Sequence, residues 1–356
     1  MSSRYKNGDD ETSYQILSCR LAFQSVAGLQ GCFIVDTSQT LPTCLTPKVA
    51  GIFQTVVSNL ALQNDALLNV IYSLAALHLA FSGDPLAGMD DSTASQSNPE
   101  RIQQLEDAHY RYRHRALRAH LLEVSDVTES DVDAIWSTSC LFRHLMTASL
   151  QHRDLEPYNP PQEWLQMLSM ACSVSGAICD VLEKSPHLNK SVAHQVIDSL
   201  TERLPMKLIS LQDVPYPHSN DKVPRDENTE ESKIDATLLV QRKFPRDQNE
   251  ARDDETHDAY RRTVEYLMFV PCGILAQQSR EISLIQLVGF GSLAPRMFLD
   301  LVSSKASRAL LLLARFFGPM KRYTDIWYIG NTPERESGGI RTQLPPEWQE
   351  LVDWPS

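Results

Sequence analysis

The sequence predicts an all-α protein, an irregular multi-helix bundle forming a single large domain. Three observations carry that prediction. From Lys305 to Trp327, Ala309, Leu310, Leu312, Leu313, Phe316 and Phe317 form a wide apolar band at helical period. The same period returns in most other apolar stretches, and no credible sheet emerges from them. No internal repeat of the length that solenoids use is visible. A stretch as apolar as 305–327 belongs in the middle of the body, with other helices packed around it. Arg308, Arg315 and Arg322 recur every seven residues on its remaining face. Gly318-Pro319 is expected to stop the helix, since proline cannot continue the hydrogen-bond ladder.

Taken in order, residues 1–46 carry scattered apolar residues without a sustained period, and QILSCRLAFQSVAGLQGCFIVD is open between a short helix and a strand. From Pro47 the pattern firms, with Ile52, Val56 and Leu60 at spacing four. Asp65 then stands as N-cap of DALLNVIYSLAALHLAF, which is apolar nearly all round and expected to be buried. Residues 82–99 form a loop by composition. A long amphipathic helix follows, with Leu105, Ala108, Tyr112, Ala116, Ala119 and Leu122 expected inward and Arg111, Arg113, Arg115 and Arg118 on wetter sides. Ser130-Asp131 caps the next helix, whose stripe is Ile135, Ser139, Phe142 and Met146. PYNPP at 157–161 turns the chain. PQEWLQMLSMACSVSGAICDVL and VAHQVIDSLTERLPMKLISL resume helical period. Residues 215–254 are a charged, proline-containing linker or insertion. AYRRTVEYLMFVPCGILAQQ is helical, ISLIQLVGF is ambiguous between helix and strand, and LAPRMFLDLVSS is a short helix leading into the 305–327 element.

Composition narrows the function classes. A chain of 356 residues with 42% hydrophobic and 22% charged residues can bury a substantial core. Its formal net charge of −12 argues against the whole chain gripping nucleic acid, which needs a basic footprint. The polar, acidic start MSSRYKNGDDETSY lacks the apolar core of a secretory signal, and the longest apolar runs are too short or interrupted to span a bilayer. The expectation is an intracellular protein, nuclear or cytoplasmic. Seven cysteines, an odd number, suit a reducing compartment. No two have the two-residue spacing that zinc knuckles and binuclear clusters use.

The motifs that resemble chemistry are weak. Gly289-Phe290-Gly291-Ser292-Leu293-Ala294 matches the dinucleotide fingerprint in form, yet no second parallel strand or suitably placed acid follows, so it reads as a loop between helices. Ser292 is not in a nucleophile elbow. Asp253, Asp254 and Asp258, with Glu255 and His257, are the densest possible cation ligands, though acids collect at a helix N-terminus to oppose the macrodipole. No metal or other cofactor is expected. His78, within an apolar stripe, reads first as a core histidine. His78, Cys140 and His144 are nevertheless the candidates for general acid, base or nucleophile. The arginine-rich helix at 101–118 reads as a solvated face with i, i+4 neighbours ahead of a surface for an acidic partner. The five tryptophans fill space or line a pocket.

The order of the elements resembles the fungal-specific transcription factor domain, the helical region that follows a zinc binuclear cluster in many fungal regulators. The likeness is carried by Ala75 to Leu79, Tyr112 to Leu117, Asp133-Ala134, the tryptophan-led WLQMLSMACSVSGAICDVL, and LAPRMFLDLVSSKASRALLLLARFFGPM followed by Trp327 and Trp354-Pro355. It covers roughly residues 47–355 and is closest to the sterol-uptake-regulator branch. The family's DNA contact, a six-cysteine two-zinc module, is not matched by the cysteines here. The resemblance therefore implies the effector half of such a regulator, without the half that reads DNA. It implies a hydrophobic small molecule or another transcription regulator as partner, with homodimerisation open and fungal secondary metabolism as the setting. It also points to Trp164, Met167, Tyr266, Met268, Phe298 and Phe316 as the residues nearest a ligand. A biosynthetic enzyme of cyclase or isomerase type, built on the same helical pocket, is the alternative.

Overall fold

The computed structural model describes residues 26–41, 47–82, 99–201, 254–275, 280–290 and 294–352. Regular structure among them is helical throughout, with no strand, as the periodicity predicts. Residues 215–253 of the linker expected at 215–254, residues 83–98 of the loop expected at 82–99, residues 202–211 of the helical stretch VAHQVIDSLTERLPMKLISL, residues 1–25, Gly291 to Leu293 and Trp354-Pro355 lie outside the described residues. The chain gathers into two compact units: Met1–Ala148 with Ser173–Ser199, and Ser149–Cys172 with Leu200–Ser356.

The first unit begins with α1 (Val26–Val35), a 3-10 turn (Thr37–Thr40) and α2 (Pro47–Gly51), which passes through a π-helical stretch (Ile52–Val57) into α3 (Ser58–Ala61). The helix at 26–35 resolves the ambiguity between helix and strand for the described part of that stretch, with Leu29, Cys32 and Phe33 buried, and residues 15–25 lie outside the described residues. Next comes α4 (Asp65–Phe81), buried along most of its length, packed on α1, α3 and α5 (Pro99–Glu123). Its N-cap is Asn64 rather than Asp65. The Asn64 Oδ1 accepts the Leu67 N–H at 2.7 Å, satisfying a backbone donor that the first helical turn leaves open. α6 (Val132–Ser149) buries the predicted stripe of Ile135, Ser139, Phe142 and Met146. The unit is completed by the second half of α7 (Gln162–Lys184), a 3-10 turn (Pro186–Lys190) and most of α8 (Val192–Thr201).

The inward face of α5 differs from the apolar stripe expected of it. Leu105, His109, Ala116 and His120 are buried, while Leu122 is 71% exposed. Hydroxyls on the neighbouring helices explain the difference. His109 Nδ1 lies 2.9 Å from Ser73 Oγ, and His120 Nε2 lies 2.9 Å from Ser139 Oγ. Each imidazole so partnered can leave water, whereas an unpartnered one could not do so cheaply.

The second unit holds the first half of α7, then α9 (Asp254–Leu275), α10 (Arg280–Val288), α11 (Arg296–Ser303), α12 (Ser307–Met320), a 3-10 turn (Lys321–Tyr323), α13 (Thr332–Gln343) and α14 (Pro346–Gln349). ISLIQLV is thus helical. α12 sits where the sequence places it, packed by α9, α10, α11 and α13. Two expectations about it need correction. Arg308 and Arg315, placed on a remaining face, are only 7% and 5% exposed. The Arg308 guanidinium lies over the Tyr260 ring at 5.3 Å, and Arg315 Nε donates to the Leu351 carbonyl at 3.3 Å. An aromatic face and a helix-end carbonyl thus replace water around both cations. Nor does Gly318-Pro319 end the helix, which includes Pro319 and runs to Met320. So near the end, a missing N–H removes a single bond, and Lys321 N–H turns back to the Gly318 carbonyl as the chain tightens into the 3-10 turn.

One described helix, α7, is long and apolar enough by length and composition alone to cross a membrane. Its stripe of Trp164, Leu165, Leu168, Ala171, Val174 and Ile178 is buried within the protein.

Candidate functional site

In the second unit the two phenylalanines of α12 organise a buried aromatic cluster. Phe290, just past the end of α10, stacks on Phe316 with centroids 4.1 Å apart and rings inclined by 16°. Tyr266 of α9 lies 5.7 Å from Phe290, and Phe298 of α11 meets it edge-on at 6.1 Å. Trp164, in the first turn of α7, stands 5.8 Å from Phe316 and 6.0 Å from Phe317. Such pairs each add about 0.5–1.5 kcal/mol beyond the area they bury. The Tyr266 hydroxyl donates to the Gln286 carbonyl. Complete burial pushes its pKa up, so it remains a neutral donor.

This cluster gathers four of the six residues named for a ligand: Trp164, Tyr266, Phe298 and Phe316. Met167 is half-buried, one turn beyond Trp164, and the side chain of Met268 lies outside the described residues. Sequence reasoning missed Phe290, whose ring links α9, α11 and α12. The signal was present as an aromatic between Gly289 and Gly291, but it was read only as a failed nucleotide fingerprint.

A second constellation in the same unit was not anticipated. Glu336, on a turn of α13 whose sequence (TPERESGGIRTQ) looks solvent-facing, is wholly buried. Arg153 meets it with two nitrogens, Nη2 at 2.7 Å from Oε2 and Nε on Oε1, while Tyr158 donates its hydroxyl to Oε2 at 3.1 Å. The Arg153 guanidinium also lies 5.1 Å from the Tyr158 ring centroid. Burial opposes the Arg153 charge, but the bond to Glu336 and its negative charge outweigh that and raise its pKa. Burial, then the Glu336 charge, push the Tyr158 hydroxyl up, so it stays a donor. Arg335 donates to the carbonyls of Gln151 and Arg153, and Lys305 Nζ to that of Tyr158 at 3.0 Å. The result is a clamp holding residues 151–158 against α13. Its tightness shows at Gly339, where an added Cβ would stand 2.4 Å from the Tyr158 ring. Gly339→Ala is expected to cost about 1–3 kcal/mol by overpacking, read as a lower urea midpoint at unchanged m-value.

The residues named for catalysis all lie in the first unit. His78 Nδ1 is 2.9 Å from the Thr37 hydroxyl and joins α4 to the 3-10 turn after α1. The Cys140 thiol accepts from Arg143 Nη2 at 2.9 Å, and burial pushes its pKa up against the opposing effect of that arginine. A thiol so placed is a poor source of thiolate. Burial, then the Arg143 charge, lower His144 to about 3. An unfolded histidine takes up a proton near pH 6.5, whereas folded His144 resists until about 3. The unfolded state binds more protons across that window, so this contribution is complete above pH 6.5 and lost as pH falls toward 3. The slope is at most about 1.4 kcal/mol per pH unit. His144→Gln is expected to flatten the acid side of the stability profile, seen as a smaller drop in urea midpoint between about pH 7 and about pH 4.5.

Of the acids named for a cation, Asp253 lies outside the described residues, and Asp254 is exposed in the first turn of α9. Asp258 pairs with Arg262 at 2.7 Å and with Arg261. These are the short-range pairs of a helix surface. Among the described residues no group of three or more His, Cys, Asp or Glu is placed to hold a metal ion.

Among the described residues the fold is all-helical, with a buried aromatic cluster in its second unit. Two relatives are named as transcription factors. Over 281 residues the chain is 25% identical to the Zn(2)-C6 fungal-type transcription factor afumD of Aspergillus fumigatus, covering 78% of this chain and 63% of that protein. A second relative, a Zn(2)-C6 fungal-type transcription factor of Gibberella zeae, is 31% identical over 68 residues, which is 18% of this chain and 14% of the relative. No protein-family model matches the chain. The likeness to Zn(2)-C6 fungal-type transcription factors therefore stands on these relatives, and the chain spans less than two thirds of either relative's length.

Proposed function

We propose that this chain is the regulatory, non-DNA-reading part of a transcription-factor-like system, and that the aromatic cluster of its second unit responds to a hydrophobic small molecule. The single observation behind the reading is that Trp164, Tyr266, Phe290, Phe298 and Phe316 come from α7, α9, the end of α10, α11 and α12 to one buried place. An apolar guest that separates Phe290 from Phe316 would act on several helices at once. Rings supply the area for such a guest, and the Tyr266 hydroxyl with the Gln286 carbonyl supplies a polar point to orient it. Kinship with Zn(2)-C6 factors favours a nuclear role; secondary metabolism as the setting belongs to the proposal. The enzyme alternative has less in its favour, since His78, Cys140 and His144 are buried in the first unit, with His144 held neutral and the Cys140 thiol kept protonated.

The test is thermal unfolding of the intact chain with a sterol, a long-chain fatty acid and a fused-ring aromatic as probes. A ligand present at about 100 times its Kd stabilises by about 2.7 kcal/mol, a rise of several degrees in Tm. Saturable stabilisation by one probe, altered in Phe290→Leu, supports the reading. No shift with any probe, or specific capture of duplex DNA by the chain alone, overturns it.

A further inference from the structure

We infer that the exposed face of α5 is a docking surface for an acidic, amphipathic helix of a partner protein. This does not rest on the small-molecule reading, because every residue involved belongs to the first unit.

The face is basic in a chain whose formal net charge is −12. Arg111, His114, Arg115 and Arg118 are all exposed and stand three or four residues apart, so each is the helical neighbour of another of the same set. Neither Arg115 nor Arg118 has an acidic residue three or four positions away on the helix, and Arg111 has only Asp107. Asp107, one turn before Arg111, is engaged by Gln103 Nε2 at 3.1 Å. Among the described residues no ion pair joins Arg111, Arg115 or Arg118 to a carboxylate. Arg111 and Arg115 instead flank the Tyr112 ring, at 5.8 and 6.0 Å. Like charges set one turn apart repel, so the helix holds this face against its own electrostatics. The macrodipole does not account for it, since its effect fades within the last turn and α5 continues to Glu123.

Apolar residues border the same face. Tyr110 is 51%, Leu121 45% and Leu122 71% exposed. Leu62, 60% exposed, lies at the same end of the unit, because Asn64 two residues later bonds Glu123 through Nδ2 at 3.0 Å. Three cations beside leucines and a tyrosine complement a helix with glutamates in one stripe and large apolar residues in the next. Charge complementarity thus selects an acidic helix as the occupant, and the leucines distinguish it from a purely ionic ligand.

The experiment uses the intact chain and a fluorescein-labelled helical peptide with a glutamate stripe and an adjacent leucine stripe, followed by fluorescence anisotropy. Saturable binding that weakens with salt is expected. The triple variant Arg111→Glu, Arg115→Glu, Arg118→Glu should lose at least about tenfold in affinity, and Leu122→Ser should lose affinity by itself. These positions are exposed, and the Tm of each variant confirms that the unit still folds. The triple variant should instead capture the same peptide with lysine in place of glutamate, an exchange that general loss of structure would not produce. Failure to bind the glutamate peptide, indifference to the arginine changes, or equal binding of duplex DNA or phosphatidylserine vesicles by the unaltered chain would each overturn the inference.

Discussion

Glu336→Ala is expected to destabilise the second unit by about 3–5 kcal/mol, the range seen when one member of a buried ion pair is removed. The carboxylate is fully buried and accepts from two nitrogens of Arg153 and the Tyr158 hydroxyl, while the adjacent Arg335 side chain donates to the Gln151 and Arg153 carbonyls. Its loss leaves a guanidinium and a phenol without their acceptor in a poorly solvated place. Urea unfolding followed by tryptophan fluorescence reads the effect. Hydrogen exchange along α13 shows whether that helix loosens first. Replacing the pair together, Arg153→Met with Glu336→Leu, should recover much of the loss, because apolar groups of similar size need no acceptor. A loss below about 1 kcal/mol for Glu336→Ala would mean the pair contributes no more than a surface one.

Phe316→Ala should cost about 3–5 kcal/mol, combining lost transfer energy with the void left in the cluster. Phe316 touches Phe290, Phe317 and Trp164, so no single neighbour can close the gap. Phe316→Leu, which keeps most of the volume, should cost clearly less. A cycle with Phe290→Ala should be non-additive, since the two rings share a stack at 4.1 Å. If the two changes add within about 0.5 kcal/mol, the stack carries no energy of its own.

Much of the fold was legible because burial imposes a period. α4 is apolar nearly all round and α12 carries a wide apolar band, and both are buried along most of their length. The stripe of α6 was read correctly for the same reason. The departures share a cause too. His109 and His120 on α5, and Arg308 and Arg315 on α12, are polar residues whose burial depends on a partner distant in sequence: Ser73, Ser139, Tyr260 or the Leu351 carbonyl. Periodicity carries no information about such partners. Leu122 fails in the opposite sense, an apolar side chain at an inward-looking position that is 71% exposed.

The candidate site was legible only in part. Trp164, Tyr266, Phe298 and Phe316 were singled out only through the family resemblance, as residues near a ligand, and local pattern did not say that they would meet. Nor did it say that Phe290 stands among them, or that Arg153, Tyr158 and Glu336 form one clamp. Arg153 and Glu336 are 183 residues apart, on a turn and on a helix of polar composition. By itself the sequence determined the helical class, the interior position of its greasiest helix and the kinship with fungal regulators, because each follows from local pattern and order along the chain. Only the tertiary structure decided which charges are buried together and which stay on the surface. Whether a charge must be paired depends on what the fold brings within a few ångströms of it, and spacing along the chain does not fix that.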